Sequence, residues 1–278
     1  MKKAILKTHD IHYSYDNGKD ALDGVSLEIF EGEKIAVLGA NGSGKSTFFL
    51  NINGVYSPAH GEIIYRDTVS TKKNINELRK KIGIVFQDAD NQIIAATVQA
   101  EVSFGPMNLR LPKEEVRQRV SESLKYMNLI GYENRPPHYL SGGEKKRVSI
   151  SDILAMKPEI MIFDEPTASL DPVNSQMLEE VLSKLEKENM TLLISTHDVD
   201  FTYRWAERVI VFCKGKIIAD GTPIEIFNDT AILARANLKK PMMLEIYDLL
   251  TKKNILSSEH MYPKTVDELK LILDQQHM

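Results

Sequence analysis

The chain has 278 residues, a net charge of −4 and one cysteine; 42% of its residues are hydrophobic and 27% are charged. That length suits one large α/β domain, or a domain with a small appendage. The acidic balance argues against nucleic acid as the main partner, and a single cysteine excludes an internal disulfide and fits a reducing compartment.

Within residues 1–32 the alternation of Val25, Leu27 and Ile29 predicts antiparallel strands flanking a main sheet. Residues 33–38 predict a strand entering a glycine-rich turn, with a helix starting near Lys45. Residues 82–86, 160–163, 191–195 and 209–212 predict further strands, apolar on both faces as buried parallel strands are. Cys213, at the end of the last of these runs, is expected to be a buried strand thiol. Val116, Val120, Leu124 and Met127 recur at helical spacing over 113–128, behind Pro112. A further helix is expected over 144–154, with Asp152 on its exposed face. After Asn228 strand signals stop. Residues 229–278 read as a helical appendage of two short amphipathic helices around Pro263, in which Met242, Leu244, Ile246, Leu249 and Leu250 need a surface to pack on. Alternating strands and helices predict a covered, mainly parallel sheet. The first ten residues read as no signal peptide. The longest apolar runs, about six residues, fall far short of the roughly 20 that span a bilayer. Any service to a membrane would then be by docking on another chain.

Two stretches carry the chemistry. Gly39-Ala40-Asn41-Gly42-Ser43-Gly44-Lys45-Ser46-Thr47 matches the P-loop pattern between a strand and a helix. Such a loop turns backbone N–H groups onto phosphate oxygens at a helix N-terminus, whose dipole favours anions. Lys45 would reach the β- and γ-phosphates, the Ser46 hydroxyl would ligate Mg²⁺, and Thr47 would hydrogen-bond a phosphate. The second stretch is the apolar strand at 160–163, which ends in Asp164-Glu165. Strands of a parallel sheet present ligand-facing residues at their C-terminal ends. Asp164 would hold Mg²⁺ through water, and Glu165 would polarise an attacking water. The seven histidines show no close metal-ligand spacing.

Leu140-Ser141-Gly142-Gly143-Glu144-Lys145-Lys146-Arg147, shortly before the carboxylate strand, resembles the signature sequence of ATP-binding-cassette ATPases. Other motifs of that family follow in order. Gln87 resembles the Q-loop glutamine, placed at the catalytic Mg²⁺, and Ser169-Leu170-Asp171 resembles the D-loop. His197 resembles the switch histidine that contacts the γ-phosphate. Tyr15 resembles the aromatic residue that stacks on adenine, with Tyr13 as a competing candidate. The resemblance covers about residues 4–228. It implies a P-loop cassette fold: a mainly parallel core sheet, an antiparallel β subdomain and a helical signature subdomain at about 88–158, together spanning 1–228, then a C-terminal extension at 229–278. It implies ATP and Mg²⁺ as ligands, with Lys45, Gln87, Glu165 and His197 in catalysis. Nucleotide contacts would come from Tyr15, Gly39, Asn41, Gly42, Ser43, Gly44, Lys45, Ser46, Thr47 and Gln87, and from Ser141, Gly142, Gly143 and Asp171. In this family the P-loop and the serine-glycine turn lie at opposite ends of one subunit's nucleotide face. Two subunits, identical or related, therefore pack head to tail around ATP, and the extension is expected to help hold them together. Glu144 stands where many relatives carry Gln, which puts an acid near the nucleotide face.

The stretch from Val85 through Asp90-Asn91-Gln92 to Pro106 resembles the ATP-binding subunits of energy-coupling-factor importers, where this region grips a transmembrane coupling protein. Residues 164–172 and the length of the extension favour the cobalt or nickel subgroup, with vitamin import as the alternative. An exporter ATPase or a non-transport cytosolic cassette is a more distant reading. The resemblance further implies a substrate-binding membrane subunit as partner, no nucleic acid, and a peripheral place on the cytoplasmic face of the cell membrane.

Overall fold

The computed structural model describes residues 3–16, 18–168, 171–257 and 261–276. Two sheets organise it. The first joins β1 (Ala4–Ser14), β2 (Asp20–Phe30), β4 (His60–Tyr65) and β5 (Thr68–Val69) in the order β2-β1-β4-β5, all antiparallel. The second joins β3 (Lys34–Leu38), β6 (Ile82–Val85), β7 (Ile160–Asp164), β8 (Thr191–Ser195), β9 (Arg208–Cys213) and β10 (Lys216–Gly221) in the order β10-β9-β3-β8-β7-β6. Only β10 runs antiparallel there.

Helix α1 (Lys45–Ile52) follows β3, and α2 (Ile75–Lys81) precedes β6. Four helices then form a separate layer: α3 (Ala89–Gln92), α4 (Val98–Asn108), α5 (Lys113–Tyr126) and α6 (Gly142–Ala155). They are followed by α7 (Pro172–Lys187), α8 (Val199–Trp205) and α9 (Pro223–Asn228). Among its described residues the extension holds three helices rather than two: α10 (Thr230–Ala236), α11 (Met242–Lys252) and α12 (Val266–Gln276).

Strand β3 shows why its run is apolar throughout. Ile35 and Val37 face Phe48, Phe49 and Ile52 of α1 and the antiparallel sheet. Ala36 and Leu38 face the other way, onto Tyr203, Phe227, Leu233, Ala236 and Leu244. With both faces covered, no polar residue is tolerated between Ile35 and Leu38. Because β3, β6, β7 and β8 are parallel, their C-terminal ends open onto one edge, and the loops after them converge there.

The extension thus shares the core of the main sheet through Leu233, Ala236 and Leu244, while Tyr247, Leu256 and Leu269 form a small cluster of their own. It is also pinned to α8: the Tyr203 hydroxyl donates to the Pro263 carbonyl at 3.0 Å, and the Met242 N–H donates to Asp200 at 2.7 Å. Met242, Ile246 and Leu249 face outward.

Two expectations are corrected. Asp152 is not on an exposed face. Helix α4 packs across α6, so the carboxyl lies beside Glu101 with its Oδ1 enclosed and unpartnered, and burial, then the Glu101 charge, push its pKa up to about 7. Cys213 is only partly buried, because β9 ends there and turns; its Sγ donates to the Arg235 carbonyl at 3.6 Å.

Candidate nucleotide site

The loop between β3 and α1 is shaped by backbone that only glycine adopts comfortably. Gly44 has φ 110°, and a Cβ there would meet the Ala21 carbonyl oxygen at 2.6 Å; Gly39 has φ 145°, and its Cβ would meet the Phe212 carbonyl oxygen at 2.3 Å. The β9–β10 turn holds the loop from behind, with Gly215 N–H donating to the Ser43 carbonyl at 2.8 Å. Helix α1 starts without a side-chain cap and with no acidic residue in its first turn. The Ser43 hydroxyl is buried without a partner. Uncapped N–H groups, an orphaned hydroxyl and a cation at one helix start fit an anion.

That cation is Lys45. Its side chain is 5% exposed, and Nζ donates to the Gly39 carbonyl at 2.7 Å and to the Ala40 carbonyl at 3.4 Å. Burial lowers its pKa, while Glu165 and Asp164 oppose that shift. Glu165 Oε1 lies 3.8 Å from Lys45 Nζ and 2.7 Å from His197 Nε2. His197 Nε2 also lies 2.9 Å from Asn41 Oδ1. Two oxygen acceptors facing one ring nitrogen place the proton on Nε2. Lys45, Asn41, Glu165 and His197 therefore meet at one point, brought there by β3, β7 and β8.

Asp164 and Glu165 are fixed by a residue that the sequence reading passed over. The fully buried Ser195 donates through Oγ to Asp164 Oδ1 at 2.5 Å and accepts the Glu165 N–H at 2.9 Å. Its signal was the pairing of Asp164 with Ser195 across β7 and β8, which appears only once the strands are aligned. Glu165 itself has φ 47°. A left-handed non-glycine residue of this kind is held by its surroundings, and such residues cluster at functional sites.

Tyr15 stands at the other end of the loop, its hydroxyl 2.7 Å from Thr47 Oγ1. Tyr13 stacks on Tyr56 (4.8 Å, 9°), and Tyr15 sits edge-on to both. Tyr15 is the more exposed ring, and Tyr13 packs against the core. Tyr56 was not anticipated. Ser46, Gln87 and Gly42 are exposed on the same edge.

The remaining motif residues gather elsewhere. Ser141 caps α6, accepting the Glu144 N–H at 3.3 Å, while Glu144 accepts the Ser141 N–H and the Tyr132 hydroxyl, each at 2.8 Å. These bonds, the Ser141 backbone first, lower the Glu144 pKa. Gly143 packs on Asn174, where a Cβ would fall 1.7 Å from Oδ1, and both carboxylate oxygens of Asp171 hold that same Asn174. Among the described residues no hydrogen bond or ion pair joins Ser141, Gly142, Gly143 or Asp171 to Lys45, Asp164, Glu165 or His197. Ser169 and Leu170 lie outside the described residues. The described residues therefore form two separate groups: the glycine loop with Lys45, Asp164, Glu165 and His197, and the serine-glycine turn with Asp171.

Known proteins resemble this chain over most of its length. The ABC transporter family profile matches residues 22–168. The energy-coupling factor transporter ATP-binding protein EcfA of Methanocaldococcus jannaschii is 46% identical over 257 residues, 92% of each chain. The solved structure of cbiO1 from Clostridium perfringens, part of the ABC transporter complex cbiONQ, is 40% identical with a TM-score of 0.74, covering 90% of this chain and 99% of that one. An ATP-binding cassette solved as a dimer in a post-hydrolysis state with ADP and Pi is 31% identical with a TM-score of 0.70, covering 79% of this chain and 99% of that one. These matches establish that the chain belongs to the ABC transporter family, as an ATPase subunit of the energy-coupling-factor type.

Proposed function

We propose that two such chains, identical or related, sandwich ATP between the cradle of one and the Ser141 turn of the other, and that the dimer powers a cobalt or nickel importer from the cytoplasmic face of the membrane. One observation carries the dimer: Ser141, Gly142, Gly143 and Asp171 present a capped helix start that, among the described residues, bonds to no part of the chain's own cradle. The dimeric relative solved with ADP and Pi supports the reading. ATP would lie with adenine on Tyr15 and phosphates along Gly39, Asn41, Gly42, Ser43, Gly44, Lys45 and Thr47. Ser46, Gln87 and Asp164 would hold Mg²⁺, which when bound neutralises charge on the phosphate oxygens. Lys45 binds and orients the terminal phosphate. Glu165 takes the proton of the attacking water, and His197 holds that carboxylate in place. We assign 1–228 to the cassette and 229–278 to the extension. The cargo reading rests on residues 164–172 and on the extension; a vitamin would be recognised by the membrane partner, not by this chain.

The membrane partner has a place to dock. A groove of about 740 Å³ runs between α2 and α4, lined by Arg79, Lys80, Phe104, Arg110, Asp152 and Met156. Phe104 is 51% exposed, with Met107 and Ile94 exposed on the same helical layer. None of the described helices is long and apolar enough to cross a membrane. The full-length protein is expected to co-purify with a polytopic membrane protein, and Phe104→Asp to lose it while retaining ATP hydrolysis. Co-purification with ribosomes instead would overturn the importer reading. Truncation after Asn228 would uncover Leu38 and Tyr203, so the extension's part in the dimer is better read from its outer face. Ile246→Asp with Leu249→Asp is expected to shift the nucleotide-free protein toward monomer by light scattering, with no loss of folding.

A further inference from the structure

Lys146 of α6 is 2% exposed, one of the costliest residues to enclose. Its Nζ donates to the Phe86 carbonyl at 2.8 Å and to the Gln87 carbonyl at 2.7 Å. Both bonds go to main chain rather than to carboxylates, and burial lowers its pKa to about 8. An aliphatic residue would pack at this position without that cost. The ammonium is retained where it grips the two residues that lead out of β6.

The neighbouring bonds extend the grip. Lys145 Nζ meets Asp90 Oδ1 at 2.5 Å. Gln92 Nε2 donates to the Ser149 carbonyl, and Gln92 Oε1 accepts the Phe86 N–H, each at 3.2 Å. The segment from Phe86 to Gln92 is thereby fastened along the helix that Ser141 begins. Lys146 alone among these contacts touches Gln87.

We propose that Lys146 is a positioning residue for ATP hydrolysis: by holding the Phe86 and Gln87 carbonyls it sets where the Gln87 side chain emerges relative to the Ser141 turn. This rests on the reading of Gln87 and Ser141 given above. Gln87 serves the nucleotide on its own cradle, and Ser141 serves the one on the partner's cradle. Lys146 therefore ties the geometry of the two nucleotides together within each chain.

The test is a double-mutant cycle on the full-length protein, with kcat, KM for ATP and the unfolding midpoint measured for each variant. Lys146→Met is expected to lower kcat about 10-fold while KM moves less than about twofold, the pattern of a lost transition-state interaction. Lys146→Arg, which keeps the donors, is expected to recover most of the loss. Combined with Gln87→Ala, Lys146→Met is expected to add nothing, because it acts through Gln87. Multiplying losses, or Lys146→Met within about twofold of wild type, would overturn the proposal while Gln87→Ala remains slow. A silent Gln87→Ala would instead remove the reading of Gln87, and this proposal with it. Should Lys146→Met fail to fold, Lys146→Gln takes its place in the cycle.

Discussion

Glu165→Gln is expected to keep ATP bound, to slow hydrolysis by roughly 10³-fold, and to accumulate a nucleotide-bound dimer. The carboxylate is placed by its backbone: the Glu165 N–H is held by the Ser195 hydroxyl and carbonyl at 2.9 and 3.1 Å, in a left-handed conformation that fixes the direction of the side chain. Glutamine has the same shape and can keep the His197 contact through its carbonyl oxygen. It cannot take a proton, and a positioned general base supplies about 10²–10⁴ of rate. Removing one negative charge near the terminal phosphate also relieves repulsion, so affinity should rise rather than fall. Single-turnover hydrolysis and sedimentation with ATP and Mg²⁺ check both halves. Turnover near the wild-type rate would refute the assignment of the base.

Lys45→Ala is expected to act on binding as well as on chemistry. The ammonium is enclosed by the loop, held by the Gly39 and Ala40 carbonyls and 3.8 Å from Glu165. Its removal leaves the cradle with amides and hydroxyls but no cation. Loss of one pre-organised donor costs about 10²–10³ in rate. Here the same group also attracts the ground-state phosphates, so ATP affinity should drop by roughly two orders of magnitude. Lys45→Arg should not rescue it, since a planar guanidinium does not fit a site built around a compact, 5% exposed ammonium. Equilibrium binding of ATP, with an unfolding midpoint to show that the fold survives, measures the effect. Unchanged affinity would refute the cradle.

Much of this was legible in the chain. Strands β3, β6, β7, β8 and β9 announce themselves because both faces are covered, which forces continuous apolar runs. The glycine loop was legible for a different reason, since the positive φ at Gly39, Gly42 and Gly44 is a local backbone requirement that the residue type itself announces. What stayed hidden depends on contacts distant in sequence. Strand β4, beginning His60-Gly61-Glu62, has an exposed start and is a strand because β1 pairs with it. The burial of Asp152 is decided by α4, and the roles of Ser195 and Lys146 by the alignment of β7 with β8 and of α6 with β6. Glu144, read as an acid near the nucleotide face, has its carboxylate occupied by the Ser141 N–H and the Tyr132 hydroxyl.

Helix α8 begins two residues past His197, and the extension is fastened along it, to Asp200 in its first turn and to Tyr203 one turn further on. The His197 imidazole and the extension are thus mounted on the same short helix. A pull on the extension would be transmitted through α8 to the loop that carries His197, and so to its contact with Glu165.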